Sequence, residues 1–182
     1  MTEKERFLRD VCIIIDTREK KNTHVTDFFD AFGVKYVNRK LSFGDYSFLV
    51  DSIDFSLLCA IERKANINEL WGNITKERER FENEIGRTFQ INRCPILLIE
   101  NCESREFLRS YCVPQEVMRR EKRKVANIGR TICDTLDSWS SPNRYNLHVN
   151  YCRVKDDTAP LLLSIFYNYF HNYKRLCAPQ RG

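Results

Sequence analysis

Five consecutive apolar residues, from Val11 to Ile15, place the strongest single constraint on the fold of this chain. A short run that is apolar on both faces is typical of a central strand covered on each side, as in α/β proteins. The pattern then changes to helical spacing, with Thr23 as the expected cap and Gly33 as the stop signal. The chain therefore begins with a strand followed by a helix.

Three further strands are predicted before the middle of the chain. They cover Val34–Leu41, Tyr46–Val50 and Ile53–Lys64, and they are joined by tight turns at Ser42–Asp45 and Asp51–Ser52. A meander is the simplest arrangement of three strands connected by such short turns. We therefore expect neighbours in sequence to be neighbours in the sheet.

The second half predicts mainly helices. Apolar residues from Leu70 to Phe89 recur at helical spacing, and Val117–Trp139 predicts another helix. A strand at Leu147–Val154 precedes a last helix with apolar positions from Leu161 to Tyr173. This order predicts an α/β fold with a central mixed β-sheet flanked by helices, in a single domain over residues 1–182. The last helix has more apolar residues than one buried face needs, which favours a partner surface such as a homodimer.

Composition limits the function only broadly. The net charge of +5 is compatible with nucleic acid, but it is too small to identify that partner. No apolar run reaches the ~20 residues that span a bilayer, and the first residues lack an apolar signal core, so we expect no membrane and a soluble, intracellular protein of cytoplasm or nucleus. The eight cysteines lack metal-ligand spacing, which predicts free, buried or half-buried thiols.

Gly44-Asp45 and Glu62-Arg63-Lys64 are the residues most suggestive of chemistry. Side chains two apart on a strand share a face, so Glu62 and Lys64 are predicted to point the same way. We expect Asp45, at a glycine-permitted turn, to converge with them. Two carboxylates suit Mg²⁺ or Mn²⁺, and a nearby ammonium suits phosphodiester chemistry. The alternative is a solvated ion pair beside an ordinary turn residue.

These motifs resemble the XPF-type family of structure-specific endonucleases, whose signature runs Gly-Asp, a strand, then Glu-Arg-Lys-x-x-x-Asp. The Asp16-Thr17-Arg18-Glu19 loop, the run Pro95–Glu100 and Thr158-Ala159 also resemble family segments in order and spacing. The resemblance implies a restriction-endonuclease-like fold. It also implies a Mg²⁺- or Mn²⁺-dependent endonuclease that cleaves branched or flapped DNA in repair, recombination or replication.

Carried over by position, the resemblance assigns roles to five residues. Asp45 and Glu62 are implied metal ligands, and the backbone carbonyl of Arg63 is a further one. Lys64 matches the catalytic lysine. Asp16 corresponds to an acidic residue near the metal, which acts on the ion or through water.

Two departures from the family pattern leave an alternative open. Asn68 occupies the position of the final Asp of the signature, where either residue could cap the following helix. No helix-hairpin-helix module of Gly-x-Gly type follows residue 130, so the grip on DNA must come from this domain, a dimer or a partner subunit. The alternative is a non-catalytic DNA-binding or scaffolding subunit with a degenerate nuclease site.

Several basic residues are candidates for DNA contact. The densest run lies between 119 and 124, although Glu121 interrupts it and such a run is often a solvated helix face. A second group lies on the long predicted helix, and one arginine lies beside Asp16. The candidates are Arg18, Arg78, Arg80, Arg87, Arg119, Arg120, Lys122, Arg123 and Lys124.

Overall fold

A computed structural model of the protein describes residues 1–92, 94–120 and 122–177. The helices are α1 (Glu3–Asp10), α2 (Thr23–Phe32), α3 (Ile67–Thr75), α4 (Arg78–Asn92), α5 (Arg105–Ser110), α6 (Gln115–Arg120), α7 (Gly129–Ser140) and α8 (Thr158–Cys177). The strands are β1 (Cys12–Ile15), β2 (Lys35–Asn38), β3 (Tyr46–Val50), β4 (Ile53–Asp54), β5 (Ile61–Lys64), β6 (Ile96–Glu100) and β7 (His148–Cys152).

The described residues divide into two compact units. Unit 1 comprises Met1–Ala60 and the chain from Asp156 onward, so it contains β1 to β4 with α1, α2 and α8. Unit 2 comprises Ile61–Lys155, with β5 to β7 and α3 to α7. The single nuclease domain over residues 1–182 stays a prediction.

Strand pairing in unit 1 is mixed. Strand β1 pairs in parallel with β2 and antiparallel with β3, and β4 pairs antiparallel with β3. The predicted meander is therefore wrong, because β1 lies between β2 and β3. Its apolar residues agree with this placement: Ile13, Ile14 and Ile15 are completely buried, as is typical of an inner strand with cover on both faces.

An aromatic core joins the helices of unit 1 to its strands. The rings of Phe48 and Phe55 stack with centroids 4.4 Å apart, and Phe166 of α8 lies 4.8 Å from Phe48. Tyr167 packs edge-on against Phe7, and the rings of Tyr169 and Tyr173 both contact Phe55. These three tyrosines thus pack against the aromatic core of unit 1.

Unit 2 contains three parallel strands in the order β5, β6, β7. Glu62 is paired with Leu97 and Lys64 with Ile99, which fixes the register of the charged strand β5 on the fully buried strand β6. The helices supply the rest of the core around the completely buried Trp139. The predicted α/β class, with mixed strand pairing and flanking helices, is confirmed.

Two predicted elements of the first half have different bounds. The strand over Ile53–Lys64 is interrupted after Asp54, because the Asp54 carboxylate accepts a hydrogen bond from the backbone N–H of Ser56 and starts a turn. Helix α2 begins at Thr23, with Asn22 and not Thr23 at the cap position. Helix α1 was not predicted, although its Thr2 and Glu5 form the reciprocal bonds of a capping box.

Two predicted helices of the second half are each broken. Helices α3 and α4 are separated at Lys76 and Glu77, in a run of five charged residues that offers no apolar side chain to the core. The predicted helix over Val117–Trp139 is wrong, because α6 ends at Arg120 and α7 begins only at Gly129. Residues 119–124 again lack an apolar face, so a continuous helix there would bury nothing.

All eight cysteines are free, as predicted, and Cys112 and Cys177 are exposed where buried or half-buried thiols were expected. Within the described ranges, no helix combines the length and the apolar character that crossing a membrane requires.

Candidate functional site

The acidic loop after β1 is held by its own carboxylate. Asp16 follows directly on β1, is almost completely buried and accepts hydrogen bonds from the Arg18 backbone N–H at 2.8 Å and from Arg18 Nε at 2.7 Å. Its second oxygen accepts from Arg18 Nη2 at 3.2 Å and from the Leu41 backbone N–H at 2.6 Å. Asp16 therefore joins the end of β1 to the segment that leads into the Gly44 turn.

These bonds keep Asp16 ionised. Burial raises the pKa of its carboxyl, but the hydrogen bonds from Arg18 and Leu41 outweigh burial, so that the pKa is lowered overall. Part of the Arg18 charge is committed to this ion pair, although its side chain is 58% exposed.

Asp45 lies at the glycine turn, as predicted. Gly44 has a φ of 71°, in the left-handed region where a side chain is disfavoured. The half-buried Asp45 follows, and its carbonyl oxygen accepts a hydrogen bond from the Asp16 backbone N–H at 2.8 Å. Within unit 1, this hydrogen bond therefore joins the main chain of Asp16 to that of Asp45.

Strand β5 of unit 2 carries the charged pair. Lys64 Nζ lies 2.7 Å from Glu62 Oε1, which confirms that the two side chains share a face. The side chains are only 8% and 19% exposed, so the ion pair is sheltered from solvent. A sheltered pair interacts more strongly than one at the surface, since less water screens it.

An aromatic ring supports the lysine. The Lys64 ammonium lies 4.6 Å from the centroid of the Phe81 ring, and Phe81 itself is 1% exposed on α4. A cation over a ring face is attracted by the quadrupole of the ring. The sequence presented Phe81 only as an apolar position of a helix, so no local signal pointed to this contact.

The glutamate is in an environment that opposes its charge. Burial raises the pKa of the Glu62 carboxyl; Lys64 lowers it, while Glu84 and Glu69 raise it further, and the net pKa is raised. A bound cation would stabilise the ionised form.

The Arg63 side chain points away from this pair into a buried ion pair. Arg63 Nη1 lies 2.6 Å from Glu100 Oε2, with the two side chains 4% and 2% exposed. Sequence reasoning gave Glu100 no role, yet it had a signal: a carboxylate that ends a fully apolar strand needs a buried cation. The pair ties β5 to β6.

The oxygen donors at the predicted ligand positions, carboxylates and a backbone carbonyl, are of the type that a hard divalent cation prefers. Within the described ranges, no group of three or more His, Cys, Asp or Glu side chains could hold a metal. A small set of carboxylates completed by a backbone carbonyl and water is nevertheless what Mg²⁺ accepts, since it retains several waters. The predicted ligands Asp45, Glu62, the Arg63 carbonyl and Asp16 are divided between unit 1 and unit 2.

Asn68 does not cap α3. The cap is Asn66, whose side chain accepts a hydrogen bond from the Glu69 backbone N–H at 2.9 Å. Asn68 lies within the first turn, where its amide nitrogen donates to the Tyr111 hydroxyl and its oxygen accepts from Arg123 Nη1, both at 3.0 Å. The position that departs from the signature thus contacts a basic segment far along the chain.

The candidate DNA-contacting cations differ in their ion pairs and in their exposure. Arg78 pairs with Glu82 at 3.4 Å, and Arg80 pairs with Glu77. Arg119, Arg120, Lys122 and Lys124 are exposed, and Arg87 is exposed on α4. The segment around residue 122 therefore offers the densest exposed positive charge of the candidates.

Comparison with known proteins agrees with this fold. XPF from Aeropyrum pernix has a TM-score of 0.58 at 16% identity, and the match covers 85% of this chain and 59% of that one. The structure of XPF from Aeropyrum pernix in complex with DNA also has a TM-score of 0.58 at 16% identity, and the match covers 93% of this chain and 68% of that one. No curated protein sequence matches this chain. The ERCC4 domain matches residues 15–165, which is most of the sequence, and the chain therefore belongs to the ERCC4 domain family.

Proposed function

We propose that this chain is a divalent-metal-dependent endonuclease that hydrolyses phosphodiester bonds in branched or flapped DNA. The observation that carries the proposal is the sheltered Glu62 and Lys64 pair on β5, in a chain that belongs to the ERCC4 domain family. A similar fold occurs in XPF from Aeropyrum pernix in complex with DNA, which favours DNA as the partner.

In this proposal Asp45 and Glu62 hold one Mg²⁺ or Mn²⁺, with the Arg63 carbonyl as a further ligand. The bound ion would polarise a phosphoryl oxygen and acidify a water molecule. Asp16 contributes mainly through position, because both of its oxygens already accept hydrogen bonds that order the loop before Asp45. Any contact of Asp16 with the ion then passes through water.

Lys64 supplies positive charge where charge develops in the transition state. Its contact with the Phe81 ring holds the ammonium independently of Glu62, which would leave the glutamate carboxylate able to hold an ion. A preorganised charge in a sheltered site stabilises a developing negative charge without reorganising at the moment of reaction. We propose DNA repair, recombination or replication as the process, with a homodimer or a partner subunit adding grip on the DNA.

Cleavage of a labelled DNA flap with and without Mn²⁺ tests the proposal. Asp45→Asn, Glu62→Gln and Lys64→Ala should each lower the cleavage rate by about 100-fold or more, as loss of a charge-stabilising group does elsewhere. Glu79→Gln, an exposed carboxylate on α4, is the matched control and should cleave like the parent. Metal-independent cleavage, or normal cleavage by the site variants, would contradict the proposal.

The non-catalytic alternative predicts a different set of results. The parent protein would bind a flap but produce no cleavage at any Mg²⁺ or Mn²⁺ concentration. Titration calorimetry adds a readout that needs no turnover, because Mg²⁺ should bind the parent and lose affinity in Glu62→Gln. A parent that fails both to cleave and to bind the ion would support the scaffolding subunit.

A further inference from the structure

We propose that residues 112–127, termed here the basic arm, form a docking surface for the phosphate backbone of duplex DNA. The inference rests on the proposed function for its choice of partner, but not for its geometry. The arm contains five basic and two acidic residues, and its described part covers 112–120 and 122–127.

The base of the arm is closed by backbone pairing. Cys112 and Asn127 form an antiparallel bridge, and the Val113 N–H donates to the Ala126 carbonyl at 2.8 Å. Just outside, the Gly129 N–H donates to the Tyr111 carbonyl at 3.2 Å. Both ends of the arm are thereby held at one place in unit 2.

The inner side of the arm packs on the core of unit 2. Val113 is 4% exposed, and the half-buried Val117 and Met118 of α6 pack against the same core. Arg119, Lys122 and Lys124 are exposed, as is Val125. The arm is thus a packed, two-sided element, and its charged side is the outer one.

Three cations on the outer side form no ion pair with any residue that the structure describes. Arg119, Lys122 and Lys124 are exposed, and none of them forms a salt bridge with a described residue; Arg119 contacts only the Gln115 amide, at 3.4 Å. Five other arginines of unit 2 differ, because each of these five is paired with a carboxylate: Arg78 and Arg144 with Glu82, Arg80 with Glu77, Arg105 with Asp137, and Arg109 with Asp134. Positive charge on the arm is therefore available to a ligand.

Arg123 has a different task from its neighbours. It is half-buried, and its Nη1 donates to the Asn68 side-chain oxygen on α3, the helix that follows β5. The Asn68 amide nitrogen in turn donates to Tyr111 at the base of the arm. We assign Arg123 to positioning, so that Arg119, Lys122 and Lys124 are the residues that meet phosphates.

Duplex DNA is the occupant that this charge fits best. Phosphate contacts need cations that are fixed in position but are not already neutralised, and each one formed releases counterions from the DNA. A packed arm whose three exposed cations form no salt bridge within the described part of the chain meets both conditions without any base contact. We therefore expect the arm to strengthen binding of any duplex sequence, and to leave the choice of the cleaved bond to other residues.

Duplex binding by the metal-free protein at several salt concentrations tests the inference. The triple variant Arg119→Gln, Lys122→Gln and Lys124→Gln should lower the slope of log affinity against log salt by about 2.7, for three lost phosphate contacts. The control is a triple variant with the same charge loss on unit 1, at the exposed Lys4, Arg6 and Lys35, each changed to Gln. A slope equal to that of the parent or of the control would overturn the inference.

The outcome is separable from that of the proposed function. The assay measures binding without metal. The triple variant can therefore show a smaller salt slope than the parent even if the parent never cleaves DNA. Conversely, if the triple variant cleaves at the parent rate and binds with the parent slope, the nuclease proposal stands and the arm is not the DNA surface. Circular dichroism and urea unfolding of the triple variant confirm that the comparison is between folded proteins.

Discussion

The Lys64 ammonium lies 4.6 Å from the centre of the Phe81 ring, so the cation of strand β5 is held by a buried aromatic residue of α4 as well as by Glu62. This contact gives the lysine a position that does not depend on the glutamate. Such independence matters in the proposed reaction, where Glu62 is needed as a metal ligand.

Phe81→Leu should therefore slow cleavage. Loss of a desolvated cation–π contact costs about 1–2 kcal/mol, which corresponds to roughly 5- to 30-fold in kcat, with little effect on KM. Phe89→Leu is the control, because it makes the same change on the same helix at a ring that contacts Tyr145. Equal losses of kcat in both variants would show that Phe81 acts only through packing.

The buried Arg63 and Glu100 pair should be essential for folding. Glu100→Gln removes the carboxylate charge from beside the buried Arg63 guanidinium, which we expect to lower the free energy of unfolding by about 3–5 kcal/mol. The control is Asp137→Asn, which breaks an arginine pair with side chains 41% and 51% exposed and should cost less than about 1 kcal/mol. Urea unfolding measures both, and similar losses would refute the expectation.

Asp16 should make stability depend on pH. Its folded-state pKa is lowered, so its contribution is fully present above the unfolded value of about 3.9 and is lost as the pH falls through the folded value. The difference in unfolding free energy between the parent and Asp16→Asn should be constant above about pH 5 and shrink toward pH 3. A difference that grows on acidification has the wrong sign for this role.

Asn68→Asp should restore the family signature without disturbing the fold. An aspartate can accept from Arg123, and the Tyr111 hydroxyl can turn to donate to it, so both contacts survive. Asn68→Leu removes both and should cost about 1–3 kcal/mol. Urea unfolding and limited proteolysis of the basic arm distinguish them. Equal sensitivity of the two variants would argue against the network.

The raised pKa of Glu62 should appear in metal binding. Because the ligand must be ionised, apparent Mg²⁺ affinity should fall on acidification already at a pH above the usual glutamate value of about 4.3. Calorimetric titrations of the parent between pH 5 and pH 8 measure this loss, and Glu62→Gln should bind weakly at every pH. Affinity that does not change over this range would contradict the assignment.

The sequence by itself determined the features that depend on near neighbours. The period of two along a strand placed Glu62 and Lys64 on one face, and the apolar run before Asp16 produced an inner strand. Gly44 marked the turn before Asp45, because a glycine backbone can adopt the positive φ that the turn needs. Each of these features follows from local backbone geometry, which does not depend on how the rest of the chain folds.

Tertiary structure alone decided which side chains meet when they lie far apart in the sequence. Arg63 and Glu100 are 37 residues apart and Asn68 and Arg123 are 55 apart, so no local pattern could pair them. The breaks at Lys76 and after Arg120 likewise arose because a charged run has no apolar face to pack, which overrides helix propensity. Burial and long-range contacts therefore turned a recognisable motif into a sheltered pair supported by Phe81, and a run of basic residues into an anchored arm.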